Sequence, residues 1–138
     1  LITNPLLFMS VHSQIFAGLS SSDRSMLQKN HVEEFMAIQK PYLAHGFSLQ
    51  ELSSKTGINV PTLSALINRE YRMNFNDFIN QHRVEYFKQL LLNEGYHRWT
   101  LEALAYKAGF SSRTTFIRAF TKFACCSPSQ YLKTLKYN

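Results

Sequence analysis

The chain repeats itself, and that repeat is its strongest constraint. Ser48 and Thr100, Leu49 and Leu101, Leu52 and Leu104, Gly57 and Gly109, and Ile58 and Phe110 each stand 52 residues apart. Leu63 and Phe116, Ile67 and Phe120, Asn74 and Ser127, and Phe78 and Tyr131 each stand 53 apart. One residue has been added in the turn or at the start of the following helix. Matched types in two neighbouring registers mean two copies of one supersecondary unit. With only five glycines and four prolines in 138 residues, the unit is helical rather than turn-rich β. A hydrophobic content of 45% is enough to bury a core and argues against disorder.

Along the chain, residues 1–22 give no clear pattern and end in a linker-like Ser-rich segment. Asp23 to Leu43 has helical spacing at Val32, Phe35, Met36, Ile38 and Tyr42, and Gly46 is expected to stop it. Ser48 and Glu51 form a capping box for a short helix to Thr56. Gly57 falls where the chain must take a positive φ. Asn59 caps the next helix, whose first turn tolerates Pro61 and whose inner stripe is Leu63, Leu66 and Ile67. Asn74 starts a long helix burying Phe75, Phe78, Ile79, Tyr86, Phe87, Leu90 and Leu91. The second copy follows: Thr100 caps, Gly109-Phe110 turns, and Ser111 is expected to cap a helix with Phe116, Ile117 and Phe120. Ser127-Pro128 opens a last helix with Tyr131, Leu132 and Leu135. The fold expected is all-α.

Charge divides the chain. The formal net charge is +6. Residues 1–102 hold nine basic and nine acidic residues, and no acid follows Glu102. Lys107, Arg113, Arg118, Lys122, Lys133 and Lys136 therefore supply the whole excess. An acidic partner is implied, nucleic acid or an anionic membrane surface, with the C-terminal part as the anion-binding face.

A capped short helix, a Gly turn and a second helix with one apolar face form a helix-turn-helix. A single copy is also what any small helical bundle shows. Duplication and one-sided charge favour DNA. In such a unit the second helix lies in the major groove, and the first buttresses it.

The segment from about Phe47 to Lys133 resembles the DNA-binding region of the AraC/XylS family of bacterial transcription regulators. The residues that carry it are Ser48, Leu52, Gly57-Ile58, Leu63, Asn74-Phe75, Phe78, Arg83-Val84 and Leu90-Leu91. More specific are Ala105, Ala108-Gly109-Phe110-Ser111-Ser112, Phe116, Phe120, Lys122, Ser127-Pro128 and Tyr131. The resemblance implies about seven helices in two helix-turn-helix subdomains joined by a long helix. It also implies recognition helices in successive major grooves, roughly 34 Å apart. The domain is expected over 44–138, with helix-turn-helix units at about 48–69 and 100–123. The linking helix is expected at about 74–93 and the last helix at about 127–136. Residues 1–43 form a leader, linker and packing helix.

Carried over by position, the first recognition helix exposes Val60, Pro61, Thr62, Ser64, Ala65, Asn68 and Arg69 to base edges. The second exposes Ser112, Arg113, Thr114, Ile117 and Arg118. Arg113 and Arg118 suit bidentate contacts to guanine, and Thr114 or Ile117 a thymine methyl. The first set is short or apolar apart from Asn68 and Arg69. Most base readout is therefore expected from the second unit. Lys107, Lys122, Asn74 and Ser127 are the phosphate-contact candidates, although surface lysines are often merely solvated.

Two matched positions depart from the family. Arg72 and Cys125 stand where Gly commonly follows the recognition helix, so each is expected to strain towards positive φ. Phe87 replaces a common small residue, and Leu132 a frequent basic one.

Other classes fare worse. The histidines His12, His31, His45, His82 and His97 are scattered without a partner set, so each reads as an exposed or cap-region residue rather than a catalyst. No cofactor or metal is expected. Cys125 and Cys126 are adjacent, a poor geometry for bridging, and read as reduced thiols of a cytoplasmic protein. Fusion partners of such domains include methyl-accepting cysteine domains, but no base or metal ligand accompanies these thiols. No aromatic-bearing sheet for RNA is readable. The alternative is a protein-interaction or non-specific DNA-binding output module. The apolar but interrupted N-terminal stretch lacks a membrane span and a signal cleavage site. It resembles the region joining this output domain to a sensor, sometimes membrane-embedded, and the start at Leu1 suggests a fragment. The expected partners are double-stranded DNA, RNA polymerase at the promoter, and an N-terminal sensor outside this chain.

Overall fold

The computed structural model describes residues 17–95 and 98–137. Among these residues there are seven α-helices: α1 (Ser21–Gln39), α2 (Leu49–Thr56), α3 (Val60–Tyr71), α4 (Phe75–Leu90), α5 (Leu101–Lys107), α6 (Arg113–Ala124) and α7 (Pro128–Tyr137). A 3-10 turn, Pro41–Leu43, follows α1, and a π turn, Leu91–Gly95, follows α4. No strand occurs among the described residues. The all-α class and the helix count match what the sequence predicts.

The repeat is visible in the caps. Asn59 and Ser112 cap α3 and α6, taking the Thr62 and Thr115 amides on their side chains. Arg72 and Cys125 close the same helices with φ 57° and φ 60°. Each donates its amide to the carbonyl four residues back, Asn68 and Thr121. Both non-Gly residues thus hold the left-handed geometry expected of them. Ser48 and Glu51 form the full capping box, Thr100 serves the Ala103 amide, and Ser127 with Gln130 forms a second reciprocal pair.

Two expectations about element ends are corrected. Ser112, not Ser111, caps α6, because its hydroxyl stands three residues before the Thr115 amide and accepts it at 3.1 Å. The added residue is therefore Ser111, in the turn. Helix α1 ends at Gln39 rather than running to Leu43. Pro41 bars helical geometry at the residue before it, and Lys40 turns to φ 47°. Gly46 lies beyond this stop. Ile38, counted in the apolar pattern, is 64% exposed.

Two cores form, one per unit. The first gathers Val32 and Met36 of α1 with Tyr42, Leu52, Ile58, Leu63, Leu66, Ile67, Phe78 and Ile79. The second gathers Val84, Phe87, Leu90 and Leu91 with Leu104, Ala105, Ala108, Phe110, Phe116, Ala119 and Phe120. Full burial of each large side chain contributes about 1.5–3 kcal/mol. Phe87 fills the second core, its ring 4.7 Å from Phe116 and 5.5 Å from Phe120. Leu132 packs at the margin of that core. Helix α4 lends one end to each core.

The units meet at a tight joint. Arg83 of α4 is buried and donates from Nε to the Tyr42 carbonyl (2.7 Å) and from Nη2 to the Ala44 carbonyl (3.1 Å). Its guanidinium also lies over the Phe110 ring. Gly109, at φ 103°, approaches the Tyr42 carbonyl so closely that no β-carbon fits. His45 adds a bond from Nε2 to the Tyr106 carbonyl at 2.9 Å.

Candidate nucleic-acid interface

Helix α6 buries Phe116, Ala119 and Phe120, and packs Phe123 and Ala124 at the margin of the same core. Arg113, Thr114, Ile117 and Arg118 are all exposed, and they share one face at helical spacing. Ile117 is 39% exposed on this face. Arg113 stands 3.7 Å from Glu102, the last acid of the chain. Ser112 is exposed, but its hydroxyl is occupied by the cap and by Thr115 Oγ1. Thr121 is exposed on this side as well and was not among the residues expected from the sequence. It lies four residues beyond Ile117, a spacing that could have included it.

Helix α3 presents a plainer face. Pro61, Ala65, Asn68 and Arg69 are exposed, whereas Val60, Thr62 and Ser64 are half-buried. Its longest polar groups, though exposed, are engaged by neighbouring groups of the protein. Asn68 donates to the Ser64 carbonyl (3.0 Å). Arg69 donates to Ser25 Oγ on α1 (3.0 Å) and to the neighbouring Glu70 (3.2 Å). Both sets of side chains are therefore on second helices of their units, but only α6 offers arginines to solvent along its whole face.

A cleft of about 490 Å³ lies between the start of α4 and α6. Asn74, Asn76, Asp77, Asn80, Thr115, Arg118 and Lys122 line it, with Arg83 at its base. Lys122, a phosphate candidate, reaches Asp77 Oδ2 at 2.7 Å across the two units. The Asn74 side chain caps α4 by accepting from the Asp77 amide (2.8 Å). Lys107 does not line this cleft and sits 4.5 Å from the centre of the Trp99 ring. Ser127 caps α7. The four phosphate candidates are thus spread around the molecule, with only Asn74 and Lys122 brought to one cleft.

Sequence reasoning missed Arg83 and Asp77. Arg83 had a signal: it falls on the Ile79–Phe87 stripe, and a cation on a buried stripe needs acceptors nearby. Asp77 had none, since its partner lies 45 residues away.

The histidines serve the fold. His31 donates from Nε2 to the Thr56 carbonyl (3.0 Å), and His45 ties the two units. His82 departs from the exposed placement expected of it. It is stacked on Tyr42 (5.2 Å) and edge-on to Phe78 (4.9 Å), and burial pushes its imidazole below the ordinary 6.5. His12 and His97 lie outside the described residues. Cys125 and Cys126 are both free thiols, and Cys126 is half-buried against the second core. Among the described residues no group of three His, Cys, Asp or Glu could hold a metal, and no helix is long and apolar enough to cross a membrane.

Known proteins share this arrangement. A family model described as a helix-turn-helix domain matches residues 52–134. The HTH-type transcriptional regulator ExsA of Pseudomonas aeruginosa is 27% identical over 104 residues, 75% of this chain and 36% of ExsA. The virulence regulon transcriptional activator VirF of Yersinia enterocolitica is 28% identical over 102 residues, 74% of this chain and 35% of VirF. An uncharacterised HTH-type transcriptional regulator of Staphylococcus aureus is 30% identical over 110 residues, 80% of this chain and 14% of that protein. The chain thus spans about a third or less of these relatives. A Listeria innocua protein of unknown function has a solved structure that superposes with a TM-score of 0.58 at 28% identity. It covers 74% of this chain and 93% of that one. With the family model matching more than half of its residues and two capped helix-turn-helix units in place, this chain belongs to the AraC-type helix-turn-helix family of transcription regulators.

Proposed function

We propose that this chain is the DNA-reading output unit of a transcription regulator, with α3 and α6 laid in two successive major-groove faces of one duplex. The observation that carries the reading is the capping register. The caps of α3 and α6 repeat at 53 residues at both ends, so two equivalent helices present equivalent faces. Helix α6 carries most of the base readout through Arg113, Thr114, Ile117 and Arg118, because these are the long or apolar groups turned to solvent. Helix α3 mainly sets position, since Arg69 is turned back to α1 and Asn68 to its own helix. RNA polymerase is the partner at the promoter. A sensor region outside this chain supplies the signal, in keeping with the longer relatives, and the cytoplasm is the compartment.

Selection of genomic DNA fragments by the purified chain at two salt concentrations tests this reading. Two enriched blocks about one helical turn apart support bipartite readout. One block alone means that α3 touches only the backbone. Salt-sensitive binding without a motif leaves a non-specific module. No binding favours the protein-interaction alternative.

A further inference from the structure

We propose that Asp77 is an internal stand-in for a DNA phosphate: it occupies Lys122 in the free protein and must yield it when the backbone enters the cleft. The inference rests on the DNA-binding reading above and extends it to a residue that acts against binding.

The cleft between α4 and α6 is where the two units leave a concavity. One wall is the inner edge of α6, through Thr115, Arg118 and Lys122, and Arg118 also belongs to the exposed face of that helix. The other wall is the first turn of α4, which begins four residues after α3 ends. On the proposed docking, a backbone strand beside α6 would reach this cleft through Arg118, which belongs to both. Its polar lining is three cations, three side-chain amides and Thr115, set among apolar residues such as Phe47 and Phe75, and Asp77 is the one carboxylate among the described residues that line it.

That carboxylate is well held. It takes Lys122 at 2.7 Å, while its own backbone amide is fixed by Asn74. The Lys122 side chain is 55% exposed, so the pair sits at the rim, where solvent weakens it and exchange is cheap. A phosphate and Asp77 cannot both occupy the lysine at such contact distances without like-charge repulsion. The net charge that the rim offers to DNA is therefore one unit lower than Lys122 alone would give. Phosphate contacts carry no sequence information. Suppressing one of them lowers non-specific binding and leaves the α6 base contacts to decide, so Asp77 acts as a specificity-determining residue.

Asp77→Asn in the whole chain tests this, with random-sequence duplex titrated over a range of salt. The cap on α4 survives, because it uses the backbone amide. The expected result is tighter binding to random duplex and a log–log salt slope steeper by about 0.9, the change for one more neutralised phosphate. Lys122→Gln removes a cation that Asp77 already holds, so it should move the slope by much less than that; a full loss of about 0.9 would mean that Lys122 neutralises a phosphate in the parent and overturns the inference even if the Asn variant folds poorly. Glu85→Gln removes a charge of equal sign from the far part of α4, and should leave the slope within about 0.2 of the parent. An Asp77→Asn slope equal to the parent's, or one matched by Glu85→Gln, overturns the inference. Absence of duplex binding by the parent chain overturns the DNA reading itself and this inference with it, so the two failures are told apart by the parent alone.

Discussion

Arg83 donates from Nε to the carbonyl of Tyr42 at 2.7 Å, and this bond joins the linking helix to the 3-10 turn that leads into the first unit. The same guanidinium takes the Ala44 carbonyl and covers Phe110, the turn residue of the second unit. One buried cation thus touches both halves of the repeat.

Arg83→Met keeps much of the aliphatic volume but leaves two carbonyls without their donor. Hydrogen bonds from a charged group are worth about 1.5–3 kcal/mol each, and orphaned acceptors add to the loss. A drop of about 3 kcal/mol in urea unfolding is expected. A drop below about 1 kcal/mol would mean that water replaces the guanidinium at no cost.

Gly109 and Gly46 separate packing from backbone strain. Both have positive φ. A β-carbon at Gly109 would collide with the Tyr42 carbonyl and stand 2.8 Å from Arg83 Nε, whereas nothing lies within 4 Å of one at Gly46. Gly46→Ala should cost about 0.5 kcal/mol, about 1–2 kcal/mol of strain less the 0.4–1 kcal/mol of unfolded-state entropy that the glycine carries. Gly109→Ala should cost well over that and separate the units, visible as two thermal transitions in place of one.

At Arg72 and Cys125 the strain is already present, at φ 57° and φ 60°. Cys125→Gly should gain about 0.5 kcal/mol: about 1–2 kcal/mol of relief, less the 0.4–1 kcal/mol of added unfolded-state entropy. The melting temperature should rise by a few degrees. A fall would show that the thiol makes a contact worth more than the strain.

DNA specificity should divide between the units. Arg113→Ala or Arg118→Ala is expected to erase about 1–3 kcal/mol of discrimination at one base pair each. Thr62→Ala or Asn68→Ala should weaken binding evenly across sequences. Competition binding with single-base variants of a selected site distinguishes the two patterns. The opposite division would assign readout to α3.

Acid should destabilise the first unit through His82. Its burial among Tyr42 and Phe78 lowers the imidazole below 6.5, with the nearby Glu33 charge opposing the shift. The unfolded chain therefore binds the proton first as pH falls. The stability that depends on neutral His82 is full above about 6.5 and is lost as pH falls from there through the depressed folded value. Urea midpoints between pH 7.5 and 5 should decline in the parent, and His82→Phe should flatten that decline.

Local grammar was readable. Ser48, Asn59, Asn74, Thr100 and Ser127 announce helix starts, because a cap needs only a short polar side chain three residues before the amide it serves. The positive φ at Arg72 and Cys125 followed from the family resemblance, in which Gly commonly stands at these two matched places. The cap of α6 was expected at Ser111 and lies at Ser112, since either hydroxyl fits the rule and only the position of the Thr115 amide decides. The outward face of α6 was legible from its apolar spacing, as was the plainness of α3.

What the sequence determined by itself is the set of pieces: seven helices, their caps, their buried stripes, and a basic second half. What only the tertiary structure decided is how the pieces bear on one another. Arg83 finds its carbonyls 41 and 39 residues back, and Asp77 meets Lys122 45 residues on. Capping and periodicity act within about one helical turn, so neighbouring residues encode them. A buried guanidinium or a rim ion pair depends on which surfaces dock, and docking is set by the packing of two whole cores.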